Sequence, residues 1–406
     1  MRIFACTNAA ILAAVLSETV SCTSLLKPRS NGDVKVEVYR IIDTIKEKHR
    51  GALGNDGCTS ENIVYRREYG SLSESERLDY VNAVKCLQAL PARTPAGVSD
   101  GTRTRYDDFV LTHIQHTLDI HFTGNFQHWH RWFVYLYEKA LRDECGYKGY
   151  QPYWDWPKYA DAPQDSPIFN GDPYSLGGNG EYIPGHNGTI IQPPGSGPVQ
   201  LPPGLGGGYV KTGPFANMTV NLGPVGGIAG VEPGPDGGLG YNPRGLKRDV
   251  GPALNQRYAN YTTILGLLRK PNITDYRILS EGVAGTAEIG PHGGGHYVIN
   301  GDPGGDLYIS PGDPAFWVHH GMMDRMWALW QAMDPETRNT QMDDGIYGHI
   351  TWANDPVSRL ASPDDVIDMG YAGPSTTIGK VASTTSGSCA TSTINAVIRH
   401  PSHWGV

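Results

Sequence analysis

Residues 109–133 read FVLTHIQHTLDIHFTGNFQHWHRWF, and residues 313–327 read DPAFWVHHGMMDRMW. Of 14 histidines in the chain, five crowd between His113 and His130, where chance would place fewer than one. Four more, His292, His296, His319 and His320, fall within residues 292–320. Imidazole is the commonest metal ligand near neutral pH, and three imidazoles per ion leave a coordination position open for a small molecule. Two such groups point to two ions. His292 and His296 stand one helical turn apart, but the three glycines between them make a poor isolated helix, so packing or metal has to hold that turn. His320 and Asp324 share the same spacing, which makes Asp324 a candidate acceptor for orienting the imidazole. Neither cluster has a carboxylate or cysteine at obvious ligand spacing. Neutral nitrogen donors favour copper, with zinc and a structural histidine cluster as the alternatives.

Outward from these clusters the pattern is mainly helical. Apolar residues of helical period run over 34–50 and over 73–90, the second opening Ser73-Glu74-Ser75-Glu76 as a capping box. Further helices are predicted from Asp107 to Asp119, from Trp129 to a stop at Gly146, and over 249–269. Another starts at Asp313-Pro314, with Asp313 as cap and proline in the first turn, and runs to Met333. Residues 170–245 are different: Gly and Pro dominate them, which forbids regular helix and predicts a long surface excursion within one domain. The expected fold class is mainly α with long Gly/Pro-rich loops.

Charge and cysteines restrict the setting. Lys and Arg number 33 against 41 Asp and Glu, a net charge of −8, so the basic excess needed to bind phosphate backbones is missing and no nucleic-acid partner is expected. Residues 1–21 combine Arg2, an apolar run over 3–16 and small residues over 17–21, the pattern of a secretory signal peptide, with a further trim compatible near Lys27 to Arg29. Nothing else is apolar enough to span a bilayer, so a secreted, extracellular protein without a membrane partner is expected. Export leaves Cys58, Cys86, Cys145 and Cys389 as an even set; of three connectivities, Cys58 with Cys86 and Cys145 with Cys389 is the one favoured here. Asn187, Asn217, Asn260 and Asn272 open glycosylation triplets.

Three patterns together carry a resemblance: H-x8-H closing in Trp129-His130-Arg131, H-x3-H at His292 and His296, and D-P-x-F-W-x-H-H-x3-D-R-x-W over 313–327. They resemble the type-3 copper oxidases, the family of tyrosinases, catechol oxidases and hemocyanins, and most of all its short, secreted fungal type. Tyr153-Trp154-Asp155-Trp156, Asn242-Pro243-Arg244 and Tyr371-Ala372-Gly373 extend the likeness. The resemblance implies a four-helix bundle around a dicopper centre, a catalytic domain over 30–373 and a short tail over 374–406. It implies two copper ions, one on His113, His121 and His130 and the other on His292, His296 and His320. His116 competes with His113, and His319 becomes a neighbour. His49, His128, His186, His349, His400 and His403 are expected to be surface or hydrogen-bonded residues.

The resemblance also implies chemistry: a phenolic substrate and O2 as partners, and oxidation of o-diphenols to o-quinones with O2 reduced to water. Leu307 is a candidate gate, while Gly293 and Tyr297, each directly after a ligand, should shape the entrance. Tyrosinases are thought to activate monophenols through a water held by a Glu and by an Asn directly after the first histidine of the second site. Here Glu281 is the Glu candidate, and Gly293 stands where the Asn would be, which ranks diphenol oxidation first and leaves monophenol hydroxylation weak. Asp119 stands where many fungal members carry a cysteine crosslinked to the second ligand, so His121 has to be oriented by packing and hydrogen bonds. A full tyrosinase, an o-aminophenol oxidase and a hemocyanin-like oxygen carrier are the competing functions.

Overall fold

A computed structural model describes residues 30–49, 64–192, 194, 197–339 and 346–384. The leader, Cys58, Cys389, His400 and His403 lie outside them. The first half holds α1 (Asn31–His49), α2 (Glu74–Ala89), α3 (Arg105–Ile120) and α4 (Phe126–Cys145). The second half holds α5 (Pro252–Tyr258), α6 (Tyr261–Leu268), α7 (Ile273–Glu281), α8 (Gly290–Ile299) and α9 (Ala315–Met333).

Local chemistry sets these ends. At α2 the Ser73 hydroxyl accepts from Glu76 N–H while the Glu76 carboxylate accepts from Ser73 N–H, the predicted capping box, and Thr104 with Asp107 repeats the device at α3. α4 begins at Phe126, a turn earlier than the predicted Trp129, and stops at Gly146, whose φ of 72° is costly for other residues. The helix expected over 249–269 is broken: Ala259 leaves helical geometry and the Asn260 side chain caps a new helix by accepting from Thr263 N–H at 2.9 Å. Asp313 accepts from Ala315 N–H at 2.8 Å and also pairs with buried Arg248 at 2.6 Å, so one carboxylate starts α9 and neutralises a cation.

The expected mainly α architecture is observed, with α3, α4, α8 and α9 forming the bundle that carries both histidine clusters. Where α4 meets α9, Tyr137 stacks on Trp317 at 3.6 Å between ring centres, and Phe109 of α3 meets both rings edge-on. About two turns further, Asp324 accepts from Arg131 at 2.6 Å and Arg66 at 2.8 Å, and Arg66 also donates to Glu138 at 3.0 Å. Asp324 therefore does not orient His320 as its spacing had suggested. Two buried guanidinium groups claim its two oxygens, and without it Arg131 would be an uncompensated interior charge.

The disulfide is also different from the one expected. Cys86 near the end of α2 bonds Cys145, the last residue of α4, with their Cα atoms 5.8 Å apart. This replaces both the Cys58 to Cys86 and the Cys145 to Cys389 pairings. The side-by-side packing of α2 and α4 selects the partners, and distance along the chain carries no trace of it.

Residues 170–245 form the expected excursion, with short antiparallel ribbons such as Gly180–Tyr182 against Gly207–Val210. Arg244 anchors it through a two-pronged pair with Asp302 at 2.6 and 2.7 Å. At the far end of the chain, Arg105 donates to the carbonyls of Tyr371 and Ala372, and Arg131 donates to those of Val381 and Ala382. The segment beyond residue 373 thus continues onto the bundle as far as it is described. No helix among the described residues is long and apolar enough to cross a membrane.

Candidate metal centre

His113 projects from the middle of α3, His121 caps its C-terminal end, and His130 follows on the second turn of α4. Each ring is aimed by a main-chain carbonyl. Nδ1 of His113 meets Tyr308 O, that of His121 meets Thr117 O and that of His130 meets Phe126 O, all at 2.8 Å. A carbonyl can only accept, so Nδ1 holds the proton and Nε2 keeps its lone pair. All three Nε2 atoms are buried without a hydrogen-bond partner. Unsatisfied interior acceptors are costly, and three of them converging are what a bound cation would satisfy.

The second group uses packing. His292 and His296 lie on α8, and His320 lies on α9. Nε2 of His296 is 3.2 Å from Nε2 of His292 and 3.0 Å from that of His320. The helix carries glycines where its neighbours come too close for side chains: a Cβ on Gly294 would overlap Tyr258, and one on Gly295 would overlap the His319 ring. His319 is fixed in turn, with Trp156 Nε1 donating to its Nδ1 at 3.1 Å and its Nε2 meeting the His292 carbonyl at 2.9 Å. His319 is therefore a support of this site and no member of the triad.

Within each triad the ligand atoms lie within 4.8 Å of one another. The two triads face each other: His130 stacks on His320 at 4.5 Å, and His121 stands 5.3 Å from His292. Phe126, 4.7 Å from His292, and Phe316, 4.1 Å from His320, bracket the centre. Burial, reinforced at all but His121 by neighbouring imidazoles, pushes the rings below the ordinary imidazole value, His121 to about 4. All six are neutral at pH 7 and ready to bind metal. Six neutral nitrogens with no carboxylate or thiolate among them fit copper.

The other histidines separate cleanly. His116 lies 3.8 Å from Asp368, and it is the His113 ring that converges with His121 and His130. His349 meets the Ser358 carbonyl at 2.9 Å and His186 lies 3.5 Å from Asp249. His128 is outside both triads, as expected, but it is no surface residue: it is 1% exposed, edge-on to Trp327 at 4.7 Å, and burial pushes it down to about 3. Asp119 is exposed and faces away, and the carbonyl of Thr117 supplies the orientation of His121 that no crosslink can.

A cavity opens onto His121, His292 and His296, with Gly293, Tyr297, Leu307 and Glu281 in its wall. All four expected wall residues are thus brought together. Glu281, the last residue of α7, is 3% exposed; it accepts from Phe122 N–H, lies 3.8 Å from Arg277, and is pushed up to about 8 by burial. Residues not anticipated are Phe126 and Phe316, the rim pair Phe122 and Trp352 at 4.7 Å, and buried Asp306. Phe126 and Phe316 lie in the two quoted stretches, each four residues before a ligand, and Phe122 directly follows one, whereas nothing local singled out Trp352 or Asp306.

Known proteins agree with this geometry. The family model described as the common central domain of tyrosinase matches residues 103–333. The tyrosinase-like protein orsC of Emericella nidulans is 44% identical over 351 residues, 83% of this chain and 93% of its own. Tyrosinase P of Aspergillus terreus is 39% identical over 305 residues, 75% of this chain and 84% of its own. Among solved structures, a mutant polyphenol oxidase from Thermothelomyces thermophila is 63% identical with a TM-score of 0.80, covering 90% of this chain and 98% of that one. With its two triads set for the two ions of a dinuclear copper centre, this chain belongs to the tyrosinase family, as a type-3 copper oxidase of the fungal tyrosinase type.

Proposed function

We propose that this enzyme oxidises o-diphenols to o-quinones while O2 is reduced to water, and hydroxylates monophenols only weakly. The observation that supports this most is the cavity wall beside His292: a carboxyl group, Glu281, is present, but the residue next to the ligand is Gly293 and offers no amide. Copper held by the six imidazoles would supply the O2 binding and the electron acceptance that side chains lack.

The chain's own residues do the rest. Val283, Ile289, Leu307 and Trp352 give the cavity an apolar wall that receives an aromatic ring and excludes water. Gly293 leaves the approach to His292 open. Burial pushes Glu281 up to about 8, toward its protonated form, which weakens it as an acceptor for the proton a monophenol must lose before hydroxylation. An o-diphenol brings two adjacent hydroxyls and needs no oxygen inserted, so it depends less on that acceptor.

The test is a panel of catechol, tyrosol and 2-aminophenol on the purified copper-loaded enzyme, with O2 uptake recorded. Catechol should be consumed at two molecules per O2 and much faster than tyrosol. Hydroxylation of tyrosol after a lag, at a rate comparable to catechol, would make the enzyme a full tyrosinase; faster turnover of 2-aminophenol would make it an aminophenol oxidase. A persistent oxygenated absorption with no catechol turnover would favour an oxygen carrier.

We also propose that the protein is exported. The leader pattern supports this, as does the Cys86 to Cys145 disulfide, a bond of oxidising compartments. N-terminal sequencing of the protein from culture medium should begin beyond residue 21, and retention inside the cell would refute export.

A further inference from the structure

Asp306 sits in the cavity wall beside Leu307, yet it is only 3% exposed. A carboxylate there needs strong compensation. It finds it in peptide groups: one oxygen accepts from Val225 N–H at 2.8 Å and Gly226 N–H at 3.1 Å, and the other accepts from Tyr308 N–H at 2.8 Å. Burial pushes its pKa up to about 6 against the pull of these bonds. The partners belong to two segments distant in sequence. One is the Gly/Pro-rich excursion, the other the stretch that carries Leu307.

What this cradle holds together is the mouth of the cavity. Gly227 follows the two donors, lines the cavity, and lies so close that a Cβ on it would stand 3.7 Å from Leu307 Cβ. Its carbonyl accepts from Gln192 N–H at 2.8 Å, which brings Ile191, another wall residue, into the same unit. On the other side, the carbonyl of Tyr308 accepts from His113 Nδ1. One side chain therefore joins the excursion, the Leu307 wall and the strut behind a metal-binding histidine.

We propose that Asp306 is a positioning residue that sets the width of the substrate mouth, by clamping Gly226 and Gly227 against Leu307, and so determines how bulky a phenol the cavity takes. Resting on the phenol-oxidase function proposed above, this predicts a change in discrimination with no change in the reaction. In Asp306→Asn the amide keeps the shape but turns an N–H toward backbone N–H donors, so the clamp loosens. Asp306→Glu keeps the charge, yet the longer side chain cannot seat in the same cradle.

The experiment compares kcat/KM for catechol and 4-tert-butylcatechol in both variants, with copper content and amide hydrogen exchange measured alongside. The ratio should move about fivefold or more toward the bulky substrate, mostly through KM. Copper content should stay at the wild-type value, and exchange should quicken at residues 225–227 and 308 while α4 stays protected. If Asp306→Asn folds poorly, Asp306→Glu carries the test. Faster exchange with an unchanged ratio would reduce Asp306 to a purely structural residue and overturn the proposal, as would unchanged exchange. Failure of the wild type to oxidise either catechol would instead refute the proposed function.

Discussion

The two copper-binding triads reach similar ends by different physical means. In the His113, His121 and His130 triad, three main-chain carbonyls each fix one ring through Nδ1. In the His292, His296 and His320 triad, two ligands ride on a glycine-rich helix packed so tightly against Tyr258 and His319 that positions 294 and 295 leave no room for side chains, and the buried Nδ1 of His320 has no partner. A hydrogen bond fixes a ring's direction locally, whereas packing fixes it through everything the helix touches. The second site should therefore be the more sensitive to changes that touch no ligand.

The largest effect should come from removing a ligand outright. His296→Ala should lower catechol oxidation below about one part in a thousand, since metal catalysis supplies several kcal/mol of barrier lowering. Circular dichroism should still show a folded helical protein, because the Cys86 to Cys145 bond and the Arg131, Asp324, Arg66 and Glu138 network are untouched. Retained activity would remove His296 from the ligand set.

Next is Gly295→Ala, which alters no ligand but drives a methyl group into the His319 ring. Overpacking of this kind costs about 1–3 kcal/mol. Copper analysis should show occupancy falling toward one ion per chain, the first triad remaining filled. Equal loss from both sites would erase the contrast between them.

Trp156→Phe is milder. It removes the N–H that fixes His319 and should weaken copper retention at the second triad about tenfold, read as faster extraction by a chelator. Retention unchanged from wild type would mean that shape alone holds His319.

The smallest effect concerns selectivity. Gly293→Asn should raise the ratio of monophenol to diphenol turnover by a few-fold, by adding an amide beside Glu281 at the cavity wall. An unchanged ratio would detach position 293 from phenol activation.

The same contrast explains how much could be seen in the sequence. The two histidine clusters were legible because histidine is rare and its crowding has few other causes, the resemblance picked the six ligands out of them, and the capping box of α2 acts within four positions of itself; the Thr104 cap that opens α3 two residues before the expected Asp107 was not read. The supports were not legible. Tyr308 lies 195 residues from the His113 it aims, and Trp156 lies 163 from His319, so no window along the chain contains either pair. Asp324 shows the opposite error: its spacing from His320 was right for a contact, but Arg66 and Arg131 from other segments took its oxygens. The cysteine pairing failed for the same reason, because helix packing rather than loop length brought Cys86 to Cys145.

The central claim is that six imidazoles from four helices hold two copper ions at one cavity. Elemental analysis of the purified wild-type protein, paired with catechol-dependent O2 uptake on the same sample, tests it most directly. Two copper atoms per chain with catalytic O2 consumption are predicted. One metal atom per chain, or zinc in place of copper in a sample that consumes no O2, would contradict it.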